Sequence, residues 1–135
     1  MINDLYTQQS EEITENPWQV YPRPQLKRDS YLNLNGRWDF AVSTGKRFPE
    51  YDKTILVPFC PQSLLSGIKE HYGEETFLYY RRALNLPKGF HKGKVLLHFG
   101  AVDQVAEVEL GKKSTIEKGR AYFRSLGLEH RVMEF

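Results

Sequence analysis

The sequence predicts an all-β protein, an antiparallel sandwich or barrel, and three observations predict it. From Gln25 to Leu110 the apolar residues recur with a period near two. The runs are short and are separated by Gly, Pro and Asn, the residues that turn a chain between strands. The composition, 40% apolar, 13% aromatic and 27% charged over 135 residues, is that of one globular domain able to bury a core. A second, catalytic domain does not fit in this length.

The elements follow in order. Residues 1–24 are polar and rich in Glu and Pro, and the YPRP stretch is held extended because proline fixes its own φ and restricts its predecessor. This stretch is expected to be an extended arm lying across the sandwich. In RWDFAV, just after the Asn35-Gly36 turn pair, Trp38, Phe40 and Val42 share one face of a strand and Arg37 and Asp39 take the other. TILVPF is a strand that Pro58 ends, since proline lacks the N–H a ladder needs, and Pro58 and Pro61 then bracket a rigid loop. FLYYRRALNLP reads as a longer strand with Leu78, Tyr80, Arg82, Leu84 and Leu86 on one face and Phe77, Tyr79, Arg81 and Ala83 on the other. After the Lys88-Gly89 turn, KVLLHF has the nearly continuous apolar run of a strand buried on both sides, and AEVEL alternates cleanly. At least five strands are expected. From Gly111 onward six Lys and Arg face three Asp and Glu, a net +3, whereas the first 110 residues net −1. Ser114 and Glu117 suit a capping box there, but Gly119 and Gly127 interrupt any helix, so both helix and strand remain open for residues 114–135.

Charge and cysteine content exclude several function classes. A net charge of +2 is too weak a field to argue for nucleic acid or an anionic membrane as partner. A lone cysteine, Cys60, forms neither an internal disulfide nor a Cys-rich zinc site, so burial must hold the fold, and no cofactor is expected. The N-terminus lacks a basic and an apolar region of the kind a secretory leader carries, and no stretch approaches the roughly 20 apolar residues of a spanning helix. A cytoplasmic location is expected.

Four strings in order, PRPQLKRDSYLNLNGRWDF, VPFCPQSLLSGI, YYRRALNLP and LLHFGAVDQVAEVEL, closely resemble the N-terminal sugar-binding domain of glycoside hydrolase family 2, the β-galactosidases and β-glucuronidases. The resemblance runs from about Trp18 to Lys113. It implies a jelly-roll β-sandwich of the galactose-binding type, spanning residues 25–113. Beyond Leu110 the family's Asn-Gly turn and its Gly-Gly-Tyr segment are missing, so a sandwich incomplete at its C-terminus and a fragment of a longer glycosidase are the expectation.

Glycoside hydrolysis requires two carboxyl groups roughly 5–9.5 Å apart across one bond. Glu11-Glu12 and Glu74-Glu75 are adjacent pairs that read as solvated charge, and the resemblance places the family's catalytic glutamates on a barrel absent here. His71, His91, His98 and His130 show no catalytic or metal-ligand spacing. No catalytic residue is assigned, and no hydrolysis is expected of the chain alone. His98, in an apolar strand, reads as a hydrogen-bonded structural histidine, and Trp38, beside Phe40 and Val42, as core.

By resemblance, the VPFCPQSLLSGI loop completes a sugar subsite through Cys60, Gln62 and Ser63. Gln62 leads, because an amide both donates to and accepts from sugar hydroxyls. Trp18 is a further candidate sugar contact, and Arg81, next to Arg82, is a candidate grip for a uronic carboxylate. Asp103 and Gln104 read as caps of turn amides. The expected function is therefore that of a non-catalytic carbohydrate-binding domain of a β-galactoside- or β-glucuronide-acting enzyme. Its partners would be carbohydrate and either the remaining domains of a parent glycosidase or a second copy, with no nucleic acid and no membrane. A self-standing carbohydrate-binding module, and an interaction fragment that recruits strands at open sheet edges, are the alternatives.

Overall fold

A computed structural model describes residues 6–21, 23–45, 49–90, 92–102, 105–108, 121–124 and 133–134. Among these the chain is all-β with little helix. The strands are β1 (Gly36–Ser43), β2 (Lys53–Val57), β3 (Phe77–Arg81), β4 (Leu96–Leu97), β5 (Val105–Glu107), β6 (Ala121–Arg124) and β7 (Met133–Glu134). The helical pieces are one turn, α1 (Gln8–Glu11), and two 3-10 turns at Pro24–Leu26 and Leu64–Ser66. None of them is long and apolar enough to cross a membrane.

The larger sheet runs in the order β2-β1-β3-β6-β5, every neighbouring pair antiparallel, and β4 pairs with β7 in a second small sheet. Its longest strand among the described residues is β1, built on the alternation of WDFAV and lying between β2 and β3. Phe40 stands opposite Lys53 on one side and Tyr80 on the other, while the next residue, Ala41, stands opposite Tyr79. Phe40 and Ala41 point to opposite faces and both are fully buried, so the sheet is covered on both sides at this point. Ile55, Leu56 and Tyr79 are buried with them. Truncating a ring as enclosed as Phe40 costs about 3–5 kcal/mol, partly from lost transfer and partly from the cavity left behind.

Several expectations shift. Trp38 shares the face of Phe40 as its spacing requires, but it lies at the strand's start and is only half-buried, with its indole N–H donating to Leu34 O at 2.8 Å. The FLYYRRALNLP strand ends at Arg81 because the next side chain leaves the ladder: Arg82 Nη1 donates to Leu34 O at 2.7 Å and Asn35 O at 3.0 Å. KVLLHF contributes only two residues to a strand, and His98, just beyond them, is exposed rather than enclosed. Residues 25–35 form no strand. Pro24 opens a 3-10 turn, and Asn33 Oδ1 then accepts from Asn35 N at 2.8 Å, an Asx turn that competes with ladder pairing. Within the basic tail the two described pieces are strands, β6 and β7, and β6 sits between β3 and β5. The Ser114–Glu117 box, His91, His130, Asp103 and Gln104 lie outside the described residues.

The arm is fastened where β1 begins. Glu15 Oε1 pairs with Arg37 Nη2 at 3.0 Å, Asn35 Nδ2 donates to Pro17 O at 3.2 Å, and Asn33 Nδ2 donates to Trp18 O at 2.9 Å. Gly36 lies at the crossing with φ +128, where a Cβ would stand 3.1 Å from Arg82 Nη1, 3.2 Å from Asn16 Oδ1 and 3.3 Å from the Glu15 carbonyl oxygen. Only glycine adopts that backbone without strain and leaves room for the arm to pass.

Candidate functional site

Between β2 and β3 the chain forms a loop whose polar groups are turned inward. Phe59 N donates to Leu56 O at 3.1 Å and Ser63 N to Cys60 O at 2.9 Å, which folds the prolines into two successive turns. Ser63 caps the 3-10 turn that follows, its hydroxyl oxygen accepting from Ser66 N at 3.2 Å. Gly67 ends that turn in the left-handed region, φ +80, and donates to Leu64 O at 3.2 Å. Ser66, 1% exposed, holds the whole loop. Its hydroxyl lies 2.8 Å from Ser63 O and 3.1 Å from Pro61 O and accepts from Ile68 N at 3.0 Å. Pro61 O also accepts from Glu70 N at 3.2 Å, so the two ends of the loop are joined.

What the loop presents outward is Cys60 and Gln62, both exposed, and Phe59, whose ring meets Trp18 edge-on with centroids 5.1 Å apart. Trp18 comes from the arm and is 60% exposed. The fold thus brings Trp18, distant in sequence, against the loop that carries Cys60, Gln62 and Ser63. An exposed indole offers a flat apolar platform, and the Gln62 amide offers both donor and acceptor. Ser63 contributes its hydroxyl oxygen to the internal cap.

Arg81 belongs to a different place. Its Nε and Nη2 both lie 2.8 Å from Asp39 Oδ2, across the ladder, and its guanidinium stacks over the Tyr51 ring at 4.2 Å. Asp39, Ala41, Tyr79 and Arg81 share the face opposite Phe40 and Tyr80. Since Arg82 holds two backbone carbonyls, both neighbouring guanidinium groups are engaged within the protein.

Sequence reasoning missed a polar cluster on the Phe40 face. Tyr72 OH donates to Glu70 Oε2, Lys53 Nζ donates to the same oxygen at 3.2 Å, and Lys53 lies 5.9 Å from the Tyr72 ring centroid. The Tyr72 ring tilts toward Phe40 at 6.2 Å, and Phe40 meets Tyr80 edge-on at 5.1 Å. The Tyr72 hydrogen bond, then that of Lys53, holds the Glu70 carboxyl below its ordinary pKa, and the bond to Glu70 raises Lys53. Burial, and after it the bond to Glu70, raises Tyr72. Burial also raises Tyr80, above all other causes. The one signal in the sequence was the i, i+2 spacing of Glu70 and Tyr72, which in extended chain puts both on one side.

Among the described residues no three His, Cys, Asp or Glu side chains gather as a metal-binding group. Compared with protein-family models and with curated proteins, the chain matches none.

Proposed function

We propose that this chain is a non-catalytic carbohydrate-binding domain of the kind that opens family 2 glycoside hydrolases, with β-galactosides or β-glucuronides as its sugar class. The observation that carries the reading is the exposed Trp18 indole set against Phe59 of a loop that is fixed from within by Ser66 and also carries the exposed Gln62 amide. An apolar plate on a loop that also offers an amide donor and acceptor suits the alternation of C–H faces and hydroxyl edges on a pyranose. The order of the four sequence strings supports it, and with it a jelly-roll sandwich as the finer architecture and the cytoplasm as the location. In this reading the loop forms one wall of a sugar subsite, and Arg81, paired with Asp39, supports the sheet instead of gripping a uronate.

Titration of the chain with methyl β-galactoside and methyl β-glucuronide, followed by tryptophan fluorescence and calorimetry, tests it. Binding of about millimolar strength is expected, near −4 kcal/mol, as suits one shallow platform. Trp18→Ala should abolish it and Gln62→Ala should weaken it several-fold, with circular dichroism unchanged. No saturable signal from either sugar overturns the proposal, as does binding that survives Trp18→Ala.

A further inference from the structure

Large exposed apolar side chains among the described residues are concentrated between residues 18 and 32. Val20 is 84% exposed and Leu26 72%, and Tyr31 and Leu32 lie beside them in sequence and exposed. They project from a lobe, residues 17–35, whose base is closed by the Asn35 to Pro17 and Asn33 to Trp18 hydrogen bonds. Its tip is fastened too. The Tyr21 and Tyr31 rings meet edge-on at 4.5 Å, and Tyr21 OH donates to Leu26 O at 3.1 Å. A patch of this kind, held in shape before anything binds it, has the character of a docking surface.

Its charge selects the occupant. Arg23, Lys27 and Arg28 are exposed on the lobe against the single anion Asp29. Residues 6–15, by contrast, hold no Lys or Arg, and Glu11, Glu12 and Tyr6 are exposed there, with Ile13 half-buried. Acid with apolar groups on one segment thus faces base with apolar groups on another, and within one molecule the charged groups of both remain open to solvent. Such self-complementarity is what a two-fold dimer requires, because each copy then gives and receives the same contact. The acidic segment also repels an anionic bilayer or nucleic acid, which argues for protein as the partner.

We propose that the lobe 17–35 is a self-association surface that receives the acidic segment 6–13 of a second copy, reciprocally. This goes beyond the sugar reading and does not depend on it, since the surface is made by Val20, Leu26 and the basic residues of the lobe and not by the Trp18 indole or the 57–70 loop.

Sedimentation velocity on the full chain tests it. A concentration-dependent dimer is expected at about 0.01 M salt, dissociating toward 1 M as the screening length falls from about 30 Å to about 3 Å. The pair Glu11→Lys with Glu12→Lys, and separately Lys27→Glu with Arg28→Glu, should each weaken dimerisation by about tenfold or more. Mixing the two charge-reversed chains should restore association as a heterodimer. All four positions are exposed, so thermal unfolding should barely move, and Val20→Ser with Leu26→Ser should lose the dimer while keeping sugar binding. A chain monomeric at every concentration and salt overturns the proposal. So does association that neither reversal affects, and so does a monomer that instead sediments with phosphatidylserine vesicles.

Discussion

The 57–70 loop and the 17–35 lobe are both long irregular segments flanking the β1–β2 pair, yet they handle their polar groups in opposite ways. The loop turns its backbone carbonyls and amides inward onto one buried hydroxyl, Ser66, and shows the exposed Cys60 and Gln62 at its surface. The lobe is tied by side chains, the Asn33 and Asn35 amides at its base and the Tyr21 hydroxyl at its tip, and turns Val20 and Leu26 outward. An irregular segment becomes scaffold where its backbone groups converge on a buried group inside it, and becomes contact surface where a few side-chain bonds hold its shape and its apolar groups face outward.

The largest effect should come from breaking the loop. Ser66→Ala removes the group shared by Ile68 N, Ser63 O and Pro61 O in a fully buried position, and should cost about 1–3 kcal/mol in urea unfolding. Amide exchange should accelerate across 61–70 before the rest of the chain. A loss below about 0.5 kcal/mol, in the range of ordinary surface substitutions, would mean that the loop is held from outside and that the contrast is false.

A smaller effect is expected at the lobe. Asn33→Ala with Asn35→Ala should lower global stability by only about 0.5–1.5 kcal/mol, because these bonds are partly solvated. Trypsin should nevertheless cut after Lys27 and Arg28 several-fold faster, reporting local opening of the lobe. Equal acceleration at sites in β1 and β2 would show that the lobe is part of the core cooperative unit.

The smallest effect is the pH dependence of the Lys53, Glu70 and Tyr72 cluster, which fastens the end of the loop to β2. Glu70 titrates below its ordinary 4.5 in the folded chain, so its contribution is present above that value and is lost as pH falls through the folded pKa. Lys53 and Tyr72 are raised above 10.5 and 10.0, so theirs is complete below those values and is lost as pH rises through the folded ones. Stability should be flat through the neutral range and fall at both ends, and Glu70→Gln should remove this cluster's share of the acid-side fall. An unchanged acid limb in that variant would show that the cluster contributes nothing.

The legible part of the fold was the part governed by period two. RWDFAV and TILVPF became β1 and β2 because burial of alternate residues and the strand-ending Pro58 both act locally. β3 ends earlier than the alternation of FLYYRRALNLP predicts, since nothing in RRALNLP announces that Arg82 is drawn to carbonyls 47 and 48 residues earlier in sequence. The same reason hid the Trp18–Phe59 contact. Trp18 was singled out by residue type and the loop by motif, but their meeting depends on Asn33 and Asn35, which read only as turn residues. The tail's strands were undecidable because β6 takes its place from β3 and β5 rather than from its own pattern.

Gly36 couples these regions in a way that bears on how such a chain can diverge. The space its missing Cβ leaves is bounded by Arg82 on one side and by Asn16 and the backbone of Glu15 on the other, two segments far apart in sequence. No single substitution elsewhere relieves a side chain placed there, because the left-handed backbone and the close approach fail together. Variation at this residue is therefore tied to simultaneous change in the arm and at the end of β3. Among kindred sequences, position 36 should either stay glycine or covary with positions 15, 16 and 82 as a block.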